Sequence, residues 1–393
     1  MEPDLSLERD RHLFEAGAKR ILALDGGGVR GIVSLAYLER LEQILRQRHG
    51  DSFRLCDYFD LIGGTSTGSI IATGLALGME VGTLIQSYLE LSSVSFTGSR
   101  WHGGLFIPKF RSGPLLRVIQ RFFGDITLGS EKLRTGLAIV AKRMDTRSVW
   151  VFHNCPRGPY FGPGDGDSHG VANRDLSLAA LVRASTAAPT FFAPERIEVA
   201  KDISGVFVDG GVSPHNNPAL LMLMLATLEG YGIRWQIGED KLLLISIGTG
   251  SRPVARTQFP RFGSQSGVLA VTALYSLIDD GSWLAQALLQ WLGKSPVPWT
   301  IDGEMGDLSN DQLGDKPLLR YLRYDLVLAA EWLRQELDIS VTSAELKLLC
   351  AMDRPAAAMR LLELGRAAAR KQILDEHLPA SFDTHAQTIG ALT

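Results

Sequence analysis

The chain has 393 residues, of which 45% are apolar and 21% are charged, and its formal net charge is -3. This usage excludes a largely disordered chain, and the charge argues against a nucleic-acid polymer as a partner. The three cysteines are too few and too scattered for a disulfide framework or a cysteine-rich zinc site, which favours a reducing compartment. The charged N-terminus lacks an apolar signal core, and we predict a cytoplasmic location.

The first part of the chain alternates short apolar runs with helical patterns. After a polar lead-in over residues 1–18, apolar runs at 20–24 and 57–64 each end in a glycine-rich turn. Helical periodicity follows both turns, over 32–48 and 66–78. This strand–turn–helix rhythm predicts an α/β fold with a parallel sheet covered by helices.

Residues 92–114 lose this periodicity. The segment is rich in glycine and serine and carries four large aromatic side chains, those of Phe96, Trp101, Phe106 and Phe110. Exposed aromatic side chains on a loop would suit a lid or a lip for substrate. The sequence leaves the alternative open, which is a loop whose aromatic side chains pack into the core.

The character of the chain changes near residue 252. Before that point, strands are predicted at 137–145, 148–154, 205–212 and 241–250, and a helix at 175–189. After it the patterns are helical, at 266–293, 325–337, 343–353 and 355–378. We therefore expect a lead-in over residues 1–18, an α/β domain over 19–252, and a helical extension over 253–393 that packs against this domain.

A glycine-flanked serine, Gly64-Thr65-Ser66-Thr67-Gly68, lies between a predicted strand and a predicted helix. A serine in such a turn is held on a tight bend with its hydroxyl above the sheet edge, and small residues at Gly64 and Gly68 prevent clashes. The following helix directs its N-terminus toward the site, where it favours developing negative charge. Ser66 is therefore a candidate nucleophile. The alternative is an ordinary glycine turn with a serine N-cap.

An earlier glycine turn, Gly26-x-Gly28-x-x-Gly31, also joins a strand to a helix. That context suits a dinucleotide-binding turn, so a nucleotide-binding protein is the alternative function. Asp25 would repel a pyrophosphate there, however, and a dinucleotide site does not need the second, serine-bearing turn. In a hydrolase the adjacent glycines can point N–H groups into a cleft as an oxyanion hole. Arg30 would then either neutralise an anion or brace the loop.

A serine nucleophile needs a proton acceptor, which is usually histidine. None of the eight histidines has a setting that marks it as a base, although His215 is kept as a rival. Asp209 ends an apolar run and precedes Gly210 and Gly211, which permit close approach to another loop. Desolvation there would raise the proton affinity of the carboxylate toward that of a general base. On its own, this triplet would be interpreted as a turn with a capping aspartate.

Taken in order, these pieces resemble the patatin-like phospholipase family. The resemblance covers roughly residues 20–252 and rests on three motifs with three supporting stretches. The motifs are DGGGVRG at 25–31, GTSTG at 64–68 and DGG at 209–211, and the supporting stretches are RASTAAPTFFAP at 183–194, NNPA at 216–219 and SIGTG at 246–250. The ordered set is far more specific than any one of its members.

The resemblance implies a three-layer α/β/α fold with a mostly parallel central sheet, and a Ser–Asp dyad without histidine. The implied roles are nucleophile for Ser66, base for Asp209, and oxyanion hole for the backbone N–H groups of Gly26, Gly27, Gly28 and Val29. The implied reaction is hydrolysis of glycerolipid esters, commonly phospholipids, with no metal or other cofactor. Peripheral contact with a membrane surface is expected for such a substrate.

Control and assembly are left open by the sequence. Some bacterial members of the family serve in antiviral defence and are turned on by a cyclic nucleotide, so the resemblance admits a nucleotide activator. No motif within 253–393 indicates such a site. A homo-oligomer is equally compatible with the sequence.

Overall fold

The computed structural model describes residues 4–96, 108–162, 170–200, 202–252 and 266–383. Eight strands in these ranges form one mixed sheet. In chain order they are β1 (Lys19–Leu24), β2 (Leu61–Thr65), β3 (Gly136–Arg143), β4 (Ser148–His153), β5 (Glu195–Ala200), β6 (Ile203–Asp209), β7 (Leu242–Ile247) and β8 (Arg320–Tyr324).

The centre of the sheet is parallel. Five strands run in the order β3-β2-β1-β7-β8, and each pairs with its neighbours in parallel. The other three are antiparallel additions, with β4 and β6 on β3 and with β5 on β6. The prediction of a mostly parallel central sheet is therefore confirmed.

Twelve α-helices within the described ranges surround the sheet. They are α1 (Glu8–Phe14), α2 (Gly31–His49), α3 (Leu55–Tyr58), α4 (Thr67–Ala76), α5 (Val81–Ser95), α6 (Ser112–Phe123), α7 (Leu178–Ser185), α8 (Ala219–Thr227), α9 (Ser266–Leu292), α10 (Ala330–Leu337), α11 (Ser343–Leu349) and α12 (Ala358–Gln372). No helix in these ranges is both long and apolar enough to cross a bilayer.

Alternate residues of β1 point to opposite faces of the sheet, and both faces are buried. Leu22 and Leu24 belong to the larger core, together with side chains of α2, α4 and α12. Ile21 and Ala23 belong to the smaller core, together with side chains of α8 and α9. Two cores on two faces make the molecule a three-layer α/β/α structure, as the family resemblance implies.

The structure corrects the predicted start of β2. The strand expected over 57–64 begins only at Leu61, because residues 55–58 form the short helix α3. The Asp57 carboxylate accepts the Arg54 N–H at 2.8 Å, which caps this helical turn at its N-terminus. The capping contact therefore decides the local structure, although the apolar run continues across it.

The region after residue 252 contributes more than the helices that its sequence predicts. Arg320–Tyr324 forms β8, which pairs with β7 at the edge of the parallel strands. Residues 325–329 are not helical, so the helix predicted over 325–337 begins only at Ala330. At Gly365, α12 packs so closely on α2 that a Cβ would lie 2.8 Å from the Ala36 Cβ. This region thus completes both the sheet and the larger core.

The aromatic residues of 92–114 fall into two groups. Phe110 is buried and Phe96 is partly buried, and both rings pack against Phe192. For Phe110 the core alternative is correct, whereas Phe96 packs against the core and is also partly exposed. Trp101 and Phe106 lie outside the described residues, so a lid built from them stays a prediction.

Candidate active site

Ser66 occupies a strained turn between β2 and α4. Its backbone has φ 54° and ψ -125°, a combination that L-residues rarely adopt. A Cβ at Gly64 would lie 2.2 Å from the backbone of Gly68, and a Cβ at Gly68 would lie 2.3 Å from the Leu24 carbonyl. Both glycines are therefore required sterically, which explains their spacing around the serine.

Strand pairing explains why a serine and an aspartate 143 positions apart meet. β2 and β6 share one edge of β3, since β4 occupies the other edge. β2 runs parallel to β3 and ends with Thr65 opposite Val140. β6 runs antiparallel and ends with Asp209 opposite Ala141. The two strands therefore meet end to end, and the turn after β2 faces the last residue of β6.

The Ser66 hydroxyl donates a hydrogen bond of 2.5 Å to the Asp209 carboxylate. The other carboxylate oxygen accepts the Gly211 N–H at 2.7 Å. Both residues are nearly buried, with 9% of Ser66 and 5% of Asp209 exposed. Burial raises the pKa of Asp209 to about 6, while the hydrogen bonds and the charge of Arg183 limit the rise. At neutral pH the carboxylate is ionised, yet its pKa is close enough for it to take up a proton.

Gly210, the residue after Asp209, is also required sterically. A Cβ at this position would lie 2.5 Å from the Val140 carbonyl, so a larger residue would push β6 away from β3. Because the Asp209 carboxylate is placed by that strand pairing, the glycine keeps the carboxylate within reach of the serine turn.

Residues of α7 support the turn, although sequence analysis gave them no individual role. The Ser66 N–H donates to the Ser185 hydroxyl at 2.9 Å, and this hydroxyl donates to the Val140 carbonyl at 2.6 Å. Arg183 is buried, and its positive charge lies near enough to lower the pKa of Asp209. Both residues belong to the stretch 183–194, where the family resemblance was the signal that could have found them.

His215, the rival base, contacts the site through its backbone. Its carbonyl accepts the Thr65 hydroxyl at 2.6 Å, and its N–H donates to the Ser213 hydroxyl at 3.2 Å. Burial lowers the pKa of its imidazole, and the charge of Lys142 lowers it further. The Ser66 hydroxyl, by contrast, is already hydrogen-bonded to a carboxylate. The geometry favours Asp209 over His215 as the proton acceptor.

The glycine loop between β1 and α2 offers fewer free amides than the sequence predicts. The Gly26 N–H donates to the Asn216 carbonyl at 3.1 Å, and the Val29 N–H donates to the Met352 carbonyl at 2.8 Å. The structure therefore corrects the expectation that Gly26 and Val29 contribute to an oxyanion hole. Each of these amide hydrogens already has a backbone acceptor.

Gly27 and Gly28 remain as candidate oxyanion donors. The Gly28 N–H has no acceptor among the described residues, and Gly28 is held at φ 59°, which favours glycine. The Gly27 N–H makes a long hydrogen bond of 3.2 Å to the Thr67 hydroxyl. A charged oxygen is a stronger acceptor than a hydroxyl. Since both glycines line the same cavity as Ser66, their N–H groups can donate hydrogen bonds to an anion formed there.

Side chains from three separate elements fix this loop. The Thr249 hydroxyl and the Asn216 amide both donate to the Gly26 carbonyl, at 3.0 Å and 3.4 Å. From α5, the Tyr88 hydroxyl donates to the Gly28 carbonyl in a short hydrogen bond. Because these side chains hold two of its carbonyls, the loop keeps one orientation relative to Ser66.

The last two residues of the glycine motif are also structural. Arg30 donates to the Gly250 carbonyl at 3.0 Å, which favours the bracing role over neutralisation of an anion. Gly31 opens α2 at a point where a Cβ would lie 2.4 Å from the Tyr88 hydroxyl. A larger residue there would displace the tyrosine that holds the loop.

A buried ion cluster lies at the start of the glycine loop. Arg323 of β8 donates to both carboxylate oxygens of Asp25, at 3.0 Å and 2.7 Å, and to Asp325 at 3.1 Å. Burial raises the pKa of Asp25, and the guanidinium of Arg323 opposes the rise. Asp25 is thus part of a fixed ion pair. Sequence analysis missed Arg323, because no strand was predicted after residue 250.

A cavity of about 710 Å³ opens over Ser66 and Asp209. Its apolar side, between α4, α5 and α6, is lined by Ile70, Tyr88, Leu91, Leu115 and Phe192. Its polar side, between the glycine loop and α9, includes Arg252, Asp279, Trp283 and Trp299. A cavity divided in this way suits an amphipathic molecule. In the part of the chain that the structure describes, no three His, Cys, Asp or Glu side chains are grouped to hold a metal ion.

The description "Patatin-like phospholipase" belongs to a family model that matches residues 22–223. This span is about half of the chain and contains the glycine loop, Ser66 and Asp209. The chain belongs to the patatin-like phospholipase family. The strands β7 and β8 and the helices α9 to α12 follow the matched span, so the family assignment concerns the first part of the sheet.

Three curated relatives are similar to this family member. The cGAMP-activated phospholipase of Escherichia coli is 32% identical over 236 residues, which cover 58% of this chain and 62% of that protein. The cGAMP-activated phospholipase of Vibrio cholerae is 32% identical and covers 52% and 56%. Patatin-like protein 1 of Arabidopsis thaliana is 29% identical and covers 67% and 65%. The chain thus spans less than two thirds of the length of each relative.

Solved structures show a more distant likeness. Human GIVD cytosolic phospholipase A2 aligns with 95% of this chain and 63% of its own length, at 10% identity and a TM-score of 0.41. VipD from Legionella pneumophila aligns with 88% and 67%, at 12% identity and a TM-score of 0.38. Scores of this size do not establish a shared fold, so the fold assignment rests on the observed sheet and on the family match.

Proposed function

We propose that this protein is a serine lipid acyl hydrolase that cleaves glycerolipid esters, with Ser66 as nucleophile and Asp209 as general base. The observation that carries the proposal is the 2.5 Å hydrogen bond between these side chains beside a large, partly apolar cavity. Membership of the patatin-like phospholipase family supports this class of reaction. The cavity's polar and apolar sides match the two ends of a phospholipid.

In the proposed mechanism, Asp209 accepts the Ser66 proton while Oγ attacks the ester carbonyl carbon. The carbonyl oxygen becomes an oxyanion, which the N–H groups of Gly28 and Gly27 stabilise. Loss of one such donor typically costs roughly 3–4 kcal/mol of transition-state stabilisation. The bond to the alcohol then breaks, the alcohol takes the proton from Asp209, and an acyl-Ser66 ester remains. Water that gives its proton to Asp209 attacks this ester, and the fatty acid leaves as the proton returns to Ser66.

The proposal includes the setting of the reaction. Phospholipid substrates lie in membranes, so we place the enzyme in the cytoplasm with peripheral contact to a lipid surface. The cavity opens near α9, where Trp283 both lines the cavity and is 43% exposed. Amphipathic aromatic side chains of this kind are favoured at the boundary between lipid and water.

Serine-directed chemistry tests the proposal directly. The Ser66→Ala variant should lose at least about 10³-fold in hydrolysis of mixed-acyl phosphatidylcholine, and it should not be labelled by a fluorophosphonate. The matched control is Ser93→Ala, because Ser93 is an exposed serine of α5 whose hydroxyl donates to the Glu90 carbonyl. Full turnover by folded Ser66→Ala would exclude the mechanism.

The nucleotide-binding alternative makes the opposite prediction, which is nucleotide binding without fluorophosphonate labelling. The loop gives it little support, because the Gly26 and Val29 amides that would face a pyrophosphate already bond to carbonyls.

We also propose that the hydrolase is switched on by a cyclic dinucleotide, as a regulated defence effector. The supporting observation is that two relatives at 32% identity are named cGAMP-activated phospholipases. Adding cGAMP to the purified protein should raise phospholipid turnover several-fold and raise the melting temperature. Ser66→Ala should keep the thermal shift without the turnover. Equal turnover and an equal melting temperature with and without cGAMP would contradict activation by a cyclic dinucleotide.

A further inference from the structure

The apolar side of the cavity ends at a thin wall. Ile70, Tyr88 and Leu91 line the cavity over Ser66, and the same three side chains also line a second, separate cavity. A single layer of side chains therefore separates the two spaces.

The second cavity has a volume of about 20 Å³, which is room for about one water molecule. Its far side includes Met79, Leu84 and Phe123, and among the described lining residues only Ser87 and Tyr88 carry a polar group. A space lined in this way favours hydrocarbon over water. The second cavity therefore lies where the hydrocarbon chain of a ligand would continue if it passed beyond the wall.

The three wall residues differ in how they contact the catalytic site. Tyr88 holds the Gly28 carbonyl, so its removal would disturb the glycine loop. Ile70 lies on α4, one helical turn after Ser66. Leu91 is a buried side chain on α5 that contacts the site through apolar packing.

We propose that the apolar side of the cavity receives the acyl chain and that Leu91 ends this subsite, so that the residue at position 91 sets the longest acyl chain accepted. The proposal rests on the proposed lipid hydrolase function. A polar head group cannot occupy this side without losing its hydrogen bonds, which leaves the acyl chain. Each methylene that is buried rather than exposed changes a rate or binding constant roughly fourfold.

The chain offers a matched pair of variants. Leu91→Ala truncates one of the three side chains of the wall, and by this proposal it opens the cavity over Ser66 to the second cavity. Leu84→Ala makes the same chemical change on the same helix, seven residues earlier and on the same face, and Leu84 is also buried. Leu84 lines only the second cavity, so its truncation enlarges that space without opening it to Ser66.

The measurement is competition between two phosphatidylcholines of different acyl length in one reaction, with the released fatty acids quantified by mass spectrometry. The ratio of products is independent of the folded fraction, although both truncations lower stability. Leu91→Ala should raise the long-to-short ratio by roughly fourfold to 16-fold, corresponding to one or two added methylenes. Leu84→Ala should keep the wild-type ratio within about twofold. Leu91→Phe should move the ratio toward shorter chains.

An unchanged ratio in both Leu91 variants, or the same shift in Leu84→Ala as in Leu91→Ala, would overturn the assignment of the wall. Leu91→Phe keeps the test decisive where Leu91→Ala fails to fold. Failure of the proposed hydrolase function would give a different result from failure of the Leu91 assignment. The wild type would then release no fatty acid, or Ser66→Ala would release as much fatty acid as the wild type.

Discussion

Asp25 and Asp209 invite comparison, because each begins an Asp-Gly-Gly tripeptide at the end of a strand. Both carboxylates are buried, and burial raises the pKa of both. Their partners differ. Asp25 accepts two hydrogen bonds from the Arg323 guanidinium, whereas Asp209 accepts one from the Ser66 hydroxyl.

The partner decides what each carboxylate can do. A guanidinium does not lose its proton in proteins, so Arg323 holds Asp25 as a fixed charge. A hydroxyl can give up its proton when its oxygen attacks a carbonyl, so Asp209 can receive one. The same tripeptide in similar burial thus stabilises a loop in one place and, in our proposal, catalyses a reaction in the other. The predictions below test this contrast with the same substitution, aspartate to asparagine.

The largest expected effect is on activity. Asp209→Asn removes the proton acceptor while keeping the shape of the side chain, and kcat/KM should fall about 10³-fold to 10⁴-fold. Hydrolysis of a short-chain ester measures this effect, with circular dichroism to show that the variant is folded. A loss of less than tenfold would mean that Asp209 is not the base.

Asp25→Asn should mainly lower stability. The substitution leaves the buried Arg323 charge with Asp325 as its remaining carboxylate, and the free energy of unfolding should fall by about 3 kcal/mol. Urea denaturation measures it. The control is Asp51→Asn on the exposed surface, where we expect a change within about 0.5 kcal/mol. Equal stability of these two variants would show that the ion pair contributes nothing.

Asp209→Asn should have the opposite effect on stability. The pKa of Asp209 is raised from its ordinary value of 3.8 to about 6 in the folded protein. The wild type therefore loses stability as the pH rises from about 4 to about 6. Asparagine cannot ionise, so the variant should be more stable at pH 7, by up to about 2–3 kcal/mol. The advantage should vanish near pH 4, and denaturation at both pH values measures it. A stability advantage of the same size at pH 7 and at pH 4 would contradict a raised pKa of Asp209.

The smallest effect is the pH dependence of the wild-type enzyme. Protonation of Asp209 removes the base, so kcat/KM on an uncharged ester should fall tenfold for each pH unit below about 6. A rate that stays level from pH 7 to pH 5 would assign the base to a group of lower pKa. Thermal unfolding over the same range controls for loss of the folded protein.

The two residues of the proposed dyad were easier to predict from the sequence than the contacts that hold the surrounding loops. Ser66 was found because steric demands on a tight turn leave a local signature in Gly64 and Gly68. Asp209 needed the family resemblance, since end-to-end meeting of β2 and β6 is a property of strand register rather than of local sequence. The Gly26 and Val29 amides were misjudged because their acceptors lie far away in the chain, at Asn216 and Met352.

β8 shows the same limit at the level of the fold. Its residues, RYLRY at 320–324, favour a strand through Tyr321 and Tyr324, but the segment is short and lies among longer helical patterns. Only its pairing with β7 makes it a strand. Arg323 was therefore invisible as the partner of Asp25, although the two are bonded in the folded protein.

The connection between β7 and β8 leaves the sheet at one strand and returns at the neighbouring one. Because the sheet fixes only the two ends, the length and content of such a connection are free to vary. In this chain it supplies Trp283 and Trp299 to the cavity wall. A different segment in this connection would therefore alter which molecules enter the cavity, with no change to the strands that place Ser66 and Asp209.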